Sequence, residues 1–250
     1  AIDAAAGTVN WTRNIGIPAR SSPTIADGRM FHVTLDDRLL ALDIKDGRQL
    51  WSYQAPAAAT SLLGQPAPAH ADGLVVAGFG SGELACLRAE SGGVAWTDSL
   101  AAASAGRGMS EMSAIRGLPV IADGRVYAIG LGGLCLASDL RSGRRLWERE
   151  IAGSNNLSVA GEWVFVVSAM QQMTALNRAD GASAWITDLP QFDNEEKQKD
   201  PVHWYGPTLA GDRLIVVGTN SEAMSVSPYT GKLVGKQALS GAASLAPIVA

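Results

Sequence analysis

One motif recurs six times along the chain and constrains its fold more than any other feature. It consists of a small residue, an Asp-like residue two positions later, Gly four positions further on and Trp four after that. The glycines are 38 to 51 residues apart, and the sixth copy is degenerate. A period of this length is typical of solenoids and propellers. The repeat residues are Asp3, Gly7, Trp11, Asp43, Gly47, Trp51, Gly92, Trp96, Asp139, Gly143, Trp147, Asn177, Gly181, Trp185 and Gly231.

A second signal lies about 20 residues before most copies of the motif. Asp-Gly or Ala-Gly pairs stand between two apolar runs, as at Asp27-Gly28 and Asp123-Gly124. Such pairs indicate tight β-hairpins. In the second repeat we place strands near 21–26, 29–35, 38–44 and 48–54. The sequence therefore predicts an all-β propeller of four-stranded antiparallel blades, since helical repeats would show apolar residues at i, i+3 and i+4.

The motif predicts where each repeat residue lies in a blade. The Asp and Gly fall in the turn between the third and fourth strands, where Gly tolerates positive φ and Asp accepts hydrogen bonds from turn amides. The Trp falls on the outer strand, where its ring can cover a neighbouring repeat. We therefore expect a structural role for the repeat residues.

The repeat predicts a single propeller domain over residues 1–250. We expect a partial blade at 1–14 and the first strand of a further blade at 245–250. The complete blades are predicted at 21–54, 65–100, 117–151, 156–189 and 205–238. Because open sheet edges are a liability, we expect this chain to be truncated at both ends and to belong to a longer ring; the alternative is a six-bladed ring with an incomplete closing blade.

Composition and local motifs exclude several classes of function. The 20 basic and 24 acidic residues give a net charge of −4 without a basic block, which argues against nucleic-acid binding. Cys86 and Cys135 are too few for a disulfide framework or a zinc site, and they are either buried thiols or one bridge. No Gly-x-Ser-x-Gly or phosphate loop occurs, and the three histidines are scattered. We predict no enzyme, no cofactor and no metal.

The repeat resembles the pyrroloquinoline-quinone-like propeller repeat. More narrowly, the chain resembles the family of the outer-membrane assembly lipoprotein BamB, on the segments 7–11, 61–68, 74–78, 139–143, 154–159 and 235–241. Segment 113–117, together with the charged insertion 191–201, is similar to the alphaproteobacterial branch of that family.

This resemblance implies an eight-bladed propeller that a lipid at its N-terminus anchors to the periplasmic face of the outer membrane. It implies a non-catalytic scaffold subunit of the β-barrel assembly machinery. Its expected partners are the periplasmic domains of BamA, the central barrel subunit, and nascent outer-membrane proteins. No contact with the membrane beyond the lipid anchor is implied.

The resemblance also implies a partner patch on loops between neighbouring blades. One family loop, Leu-x-Leu-Arg-Gly, falls on 60–64, where the first Leu and the Arg are replaced. A second, acidic loop falls near 114–116, where Arg116 stands instead of acidic residues. The position of the patch carries over, and its charge pattern does not. The predicted partner-binding residues are Leu62, Leu63, Gly64, Met112, Ile115 and Arg116.

Two other functions stay open at this point. One is a fragment of a quinone-dependent dehydrogenase, although that chemistry uses adjacent cysteines, which this chain lacks. The other is a propeller that binds another periplasmic protein. The insertion 191–201 is either a solvated loop or a docking loop, and Trp204 beside it either packs or faces a partner. Trp163 is expected to pack on its own blade.

Overall fold

Four short antiparallel strands recur five times in the computed structural model, which describes residues 1–19, 21–58, 64–100 and 113–249. Blades 1 to 3 contain β1 (Thr24–Ala26), β2 (Arg29–Val33), β3 (Arg38–Asp43), β4 (Gln49–Gln54), β5 (Ala69–Ala71), β6 (Leu74–Gly78), β7 (Glu83–Arg88), β8 (Val94–Ser99), β9 (Val120–Ala122), β10 (Arg125–Ile129), β11 (Leu134–Asp139) and β12 (Arg145–Glu150). Blades 4 and 5 contain β13 (Ser158–Ala160), β14 (Trp163–Val167), β15 (Gln172–Asn177), β16 (Ser183–Asp188), β19 (Trp204–Ala210), β20 (Arg213–Gly218), β21 (Glu222–Val226) and β22 (Leu233–Ala238). Each sheet follows chain order from the inner to the outer strand.

The predicted hairpins form the first turn of each blade. Asp27 and Gly28 both have positive φ, at 48° and 71°, and Asp123 and Gly124 repeat these angles at 48° and 70°. Two successive positive φ angles are the geometry that matches the twist of a two-residue hairpin, and Asp-Gly adopts it at low cost. The local sequence therefore sets the register of the first two strands in these blades.

Neighbouring blades pack face to face through alternating side chains. Along β6, Val75 and Ala77 contact blade 1, whereas Val76 contacts blade 3. This alternation follows from the two-residue period of a strand. A separate buried cluster fills each of the four interfaces between successive blades. Each central blade is therefore apolar on both faces and depends on both of its neighbours.

The motif tryptophans join each blade to the next. The indole Nε1–H of each donates to the backbone carbonyl that follows the Asp-like position of the next motif. These hydrogen bonds run from Trp11 to Ile44 at 2.9 Å, from Trp51 to Ala89 at 3.0 Å, from Trp96 to Leu140 at 2.8 Å, from Trp147 to Arg178 at 2.9 Å and from Trp185 to Pro228 at 3.0 Å. The predicted structural role of these tryptophans now has a defined contact.

The motif glycines form the floor on which these rings lie. An ideal Cβ at Gly143 would stand 2.6 Å from Cγ of Trp96, and one at Gly181 would stand 2.7 Å from the ring of Trp147. Both glycines also have φ of 71°. The repeat thus needs Gly for two reasons, the left-handed turn and the close approach of the preceding blade's indole.

The blade 3–4 interface has an additional polar contact on the face opposite the interblade loops. Arg178 donates from Nε to the Tyr127 hydroxyl at 3.1 Å and from Nη2 to Asp123 at 2.8 Å. Its guanidinium carbon lies 5.8 Å from the centre of the Tyr127 ring. One side chain therefore ties the first hairpin of blade 3 to blade 4.

The blade 1–2 interface has a comparable polar contact above an aromatic ring, made by a different residue. Ala89 occupies the position equivalent to Arg178. His70 stacks on Phe31 with ring centres 5.8 Å apart. Its Nε2 lies 3.1 Å from the Asp27 carboxylate, without the alignment of a hydrogen bond. The polar ring that lies over the aromatic ring thus comes from the inner strand of the next blade.

The ends of the chain resemble parts of blades. Residues 1–14 contain an isolated antiparallel bridge between Ile2 and Val9. Near the other end, Thr208 donates to the carbonyl of Pro247 at 2.7 Å, as Thr24 of blade 1 donates to Pro68 just before β5. Segment 245–249 thus runs where the first strand of a next blade would start, although it contains no assigned strand.

The charged insertion is a small hairpin rather than an irregular loop. Its strands are β17 (Phe192–Asn194) and β18 (Lys199–Pro201), and most of its residues are exposed. The Glu195 carboxylate accepts the backbone N–H of Gln191 at 2.6 Å and supports the start of the hairpin. The elements assigned in the described residues are all strands. These residues therefore contain no helix long and apolar enough to cross a membrane.

Trp204, weighed above as a partner contact, lies in the core. It is 1% exposed, and its indole donates to the carbonyl of Pro190 at 2.7 Å. The interpretation as an exposed docking residue is therefore wrong. Trp163 packs against the buried cluster between blades 4 and 5.

The glycine floor predicts an asymmetric response within blade 3. Gly124 and Gly143 share φ values of 70° and 71°, but a Cβ at Gly124 would meet nothing within 4 Å. We expect Gly124→Ala to cost only the left-handed backbone strain of roughly 1–2 kcal/mol. Gly143→Ala adds overpacking against Trp96, about 1–3 kcal/mol more. Thermal unfolding monitored by tryptophan fluorescence should show the lower midpoint for Gly143→Ala, and equal midpoints would contradict the docking of Trp96 on Gly143.

Candidate functional site

The segments that connect successive blades emerge at one end of the sheets and form what we call the loop face. Because β4 pairs antiparallel with β3, the connection after β4 leaves beside the turn between β2 and β3. The same geometry holds in the other four blades. Described parts of the loop face are 34–37, 55–58, 64–68, 79–82, 113–119, 130–133, 151–157, 168–171, 189–203, 219–221 and 239–246.

Asp37 anchors the loop face between blades 1 and 2. It is 5% exposed and has φ of 58°. Its Oδ1 accepts the N–H of Gly80 at 2.9 Å and the amide of Gln65 at 3.4 Å, and its own carbonyl accepts the N–H of Ala55 at 3.0 Å. One side chain thus holds both the turn between β6 and β7 of blade 2 and the end of the first interblade loop.

The electrostatics of Asp37 are unfavourable for its charge. Burial raises the pKa of the Asp37 carboxyl, and the nearby charge of Asp36 raises it further. The hydrogen bonds from Gly80 and Gln65 lower the pKa, but burial has the larger effect. An ionised Asp37 therefore opposes folding at neutral pH.

Two of the predicted partner residues, from different loops, lie against each other. Gly64 has φ of 100°, and a Cβ placed on it would be 3.0 Å from Nη2 of Arg116. The guanidinium thus covers the backbone of the preceding loop. The structure brings Gly64 and Arg116 together at the centre of the loop face, whereas Leu62, Leu63 and Met112 lie outside the described residues.

Ile115 is a correction to the predicted surface. It is 1% exposed and belongs to the buried cluster between blades 2 and 3. Its N–H donates to the carbonyl of Phe79 at 3.0 Å, and its side chain fills the space above Gly78. The prediction that this side chain contacts a partner is therefore wrong. Ile115 instead anchors its loop in the core, whereas its neighbour Arg116 is half-buried at the surface.

A pocket opens beside Arg116 where the interblade loops converge. We call it the axial pocket; it has a volume of about 440 Å³. Its lining residues are Gly64, Arg116, Leu131, Ser154, Asn155, Asn156, Tyr205, Ser244, Leu245 and Ala246. Sequence analysis missed Asn155, Asn156 and Tyr205 as site residues, because no local pattern marks a residue that loops of separate blades bring together.

A larger cavity, of about 660 Å³, lies on the opposite face above blade 2. Its charges are mixed, with Asp27, Asp72 and Glu90 facing Arg29, Arg88 and Arg141. Arg141 is 3.9 Å from Asp72, and Asp27 contacts His70. Balanced charges of this kind select no particular ligand, so the loop face is the better candidate site.

The cysteines are separate thiols. Cys86 and Cys135 are both buried and free, in different interblade clusters. Burial raises the pKa of each thiol to about 12, so neither is a reactive thiolate at neutral pH. Within the described ranges, no three His, Cys, Asp or Glu side chains are grouped closely enough to hold a metal ion.

Five antiparallel four-stranded sheets, each joined to the next through an indole and a shared core, define this protein as a β-propeller. A sequence comparison then gives the particular kind. The chain belongs to the family described as outer membrane protein assembly factor BamB, which matches residues 1–187.

Individual relatives agree with this family. The chain is 29% identical over 253 residues to outer membrane protein assembly factor BamB of Yersinia pestis, a match that covers 100% of this chain and 62% of the relative. The chain thus spans less than two thirds of that relative's length. The crystal structure of BamB from Moraxella catarrhalis has a TM-score of 0.84 at 20% identity, covering 99% of this chain and 72% of that one.

A dehydrogenase has a similar fold at lower similarity. A europium-containing methanol dehydrogenase gives a TM-score of 0.73 at 14% identity, covering 91% of this chain and 52% of that one. Such low identity indicates a shared propeller architecture and nothing about chemistry.

Neutralising Asp37 should stabilise the protein. A folded pKa above the unfolded value of about 3.9 means that stability is greatest below that pH and falls as pH rises through the folded pKa. Asn keeps the acceptor for Gly80 and tolerates positive φ. We expect Asp37→Asn to raise the melting temperature at pH 7 and to have no such effect near pH 3.5.

The matched control is Asp193→Asn, the same charge change on an exposed hairpin residue. It should leave the melting temperature within experimental scatter at both pH values. A lower melting temperature of Asp37→Asn at pH 7 would show that the hydrogen bond from Gly80 to the ionised carboxylate outweighs its burial.

Proposed function

We propose that this chain is a non-catalytic scaffold of the outer-membrane β-barrel assembly machinery. It binds the periplasmic domains of BamA through the loop face, and it acts at the periplasmic side of the outer membrane as a lipoprotein. The family membership supports the class of function. The observation that carries the partner site is the junction of Gly64 and Arg116, two residues predicted from separate loops.

The geometry of the loop face suits a scaffold. Buried contacts fix these loops, because Asp37 accepts the N–H of Gly80 and Ile115, next to the half-buried Arg116, donates to the carbonyl of Phe79. A fixed loop loses little conformational entropy on binding, which favours affinity. The face that the proposal uses is therefore preorganised.

The dehydrogenase alternative has less support. Quinone chemistry of the kind weighed above needs adjacent cysteines, whereas Cys86 and Cys135 lie on different strands and in different clusters. The described lining of the axial pocket carries one arginine with neutral polar and apolar side chains, and it lacks a paired acid and base. These residues suit recognition better than proton transfer.

Nascent outer-membrane proteins are the second proposed partner. Among the described residues, the outer strand of each blade has one edge without an assigned strand neighbour, and β22 is exposed along most of its length. An extended client could add to such an edge through backbone hydrogen bonds. A photo-crosslinker at Lys236 should capture unfolded barrel protein; the absence of any crosslink while BamA binding persists would sink the client role.

Capture of the full-length protein by immobilised BamA periplasmic domains from the same organism tests the scaffold proposal. Wild type should be retained. Leu62→Asp should reduce retention severalfold, because it places a charge in the predicted patch. Val94→Asp is the matched control, since Val94 is exposed on the outer strand of blade 2. Equal retention of all three proteins would show that the partner patch lies elsewhere. No retention of folded wild type would refute the proposal.

A further inference from the structure

Arg116 differs from the paired arginines of this protein because it has no ion partner among the described residues. Arg145 binds Asp98 at 2.6 Å, and Arg178 binds Asp123 at 2.8 Å. Arg116 is half-buried in the axial pocket, and none of the described residues that line this pocket is acidic. A partly desolvated cation without a counter-charge is unfavourable unless a ligand supplies one.

The backbone that carries Arg116 is held in place on both sides. On one side, the carbonyl of Ala114 accepts the N–H of Leu131 at 3.0 Å. On the other side, the N–H of Leu118 donates to the Asn156 side chain at 3.0 Å. Between them, a Cβ on Gly117 would stand 2.4 Å from the carbonyl of Asn155, so the loop is pressed against its neighbour. The guanidinium therefore starts from a fixed base.

The rest of the pocket supplies neutral hydrogen-bond donors and an apolar rim. Tyr205 lines the pocket, and its hydroxyl has no hydrogen-bond partner in the part of the chain that the structure describes. Ser154 adds a second hydroxyl, and Leu245, which is 80% exposed, lies at the rim. One cation with hydroxyl donors matches a carboxylate on a short aliphatic stem.

We propose that the axial pocket binds an Asp or Glu side chain of the partner's periplasmic domain, held by the Arg116 guanidinium with Tyr205 as a second donor. This inference rests on the proposed function and specifies its chemistry. A planar guanidinium can bind both oxygens of a carboxylate, which gives direction as well as charge. Gly64 serves the site because any side chain there would displace Nη2 of Arg116.

Equilibrium binding of the full-length protein to BamA periplasmic domains, at low and physiological salt, tests the pocket. A buried charge-assisted pair corresponds to a loss of roughly 10- to 100-fold in affinity for Arg116→Ala. Arg116→Lys should lose less, since it keeps the charge without the planar fork. The salt dependence of binding should also weaken in Arg116→Ala.

Arg88→Ala is the matched control, because Arg88 is an exposed arginine on the opposite face. It should bind as wild type does. Tyr205→Phe removes only the hydroxyl, and it should weaken binding severalfold even if Arg116→Ala folds poorly. Replacement of the partner acid by Lys should restore binding to Arg116→Glu and to no other variant.

The outcomes separate this inference from the proposed function. Wild-type binding that neither Arg116→Ala nor Tyr205→Phe weakens would overturn the pocket and leave the scaffold standing. No binding by folded wild type would refute the scaffold and the pocket together. Weakening by both variants, with Arg88→Ala unchanged, would establish the carboxylate site.

Discussion

The contact between a tryptophan and the next blade's motif glycine is the interaction on which this structure depends. Its indole reaches a carbonyl one residue beyond the Asp-like position, and its ring lies on a glycine that has no room for a Cβ. A blade whose two faces are both apolar cannot be stable alone, so the ring exists only if such contacts repeat. The Gly and Trp of the motif act across the interface between blades. The motif therefore determines how blades join more than how a single blade folds.

Sequence reasoning predicted the parts of the structure that local chemistry determines. Asp27-Gly28 specifies its own turn, and the spacing of Gly143 and Trp147 specifies a blade, because both effects act over a few residues. The same reasoning was wrong for Ile115 and Trp204, whose burial depends on chain segments far away in sequence. It also missed Tyr205, because this pocket is assembled from segments of several blades and no single repeat encodes it.

The blade interfaces are alike in backbone and differ in polar detail. Arg178 lies on Tyr127 at one interface, whereas His70 stacks on Phe31 at another, each near the aspartate of the hairpin turn. At these two interfaces a polar or cationic plane lies over an aromatic ring, supplied in one case by a turn and in the other by an inner strand. Such freedom lets the polar contacts differ between interfaces while the blade architecture stays the same.

The two ends of the sheets differ in how freely their residues can vary. This difference follows from the contact between each motif tryptophan and the next motif glycine. The turn between the third and fourth strands must supply the glycine floor and the carbonyl, so the end that carries it has little freedom to vary. Connections on the loop face need only bridge adjacent blades, and one of them has acquired a hairpin at 192–201. A recognition site can change its charge there without a cost to the ring. Arg116 stands where the family resemblance implies acidic residues, and the loop beneath it is held by Ile115 and not by the charge it presents.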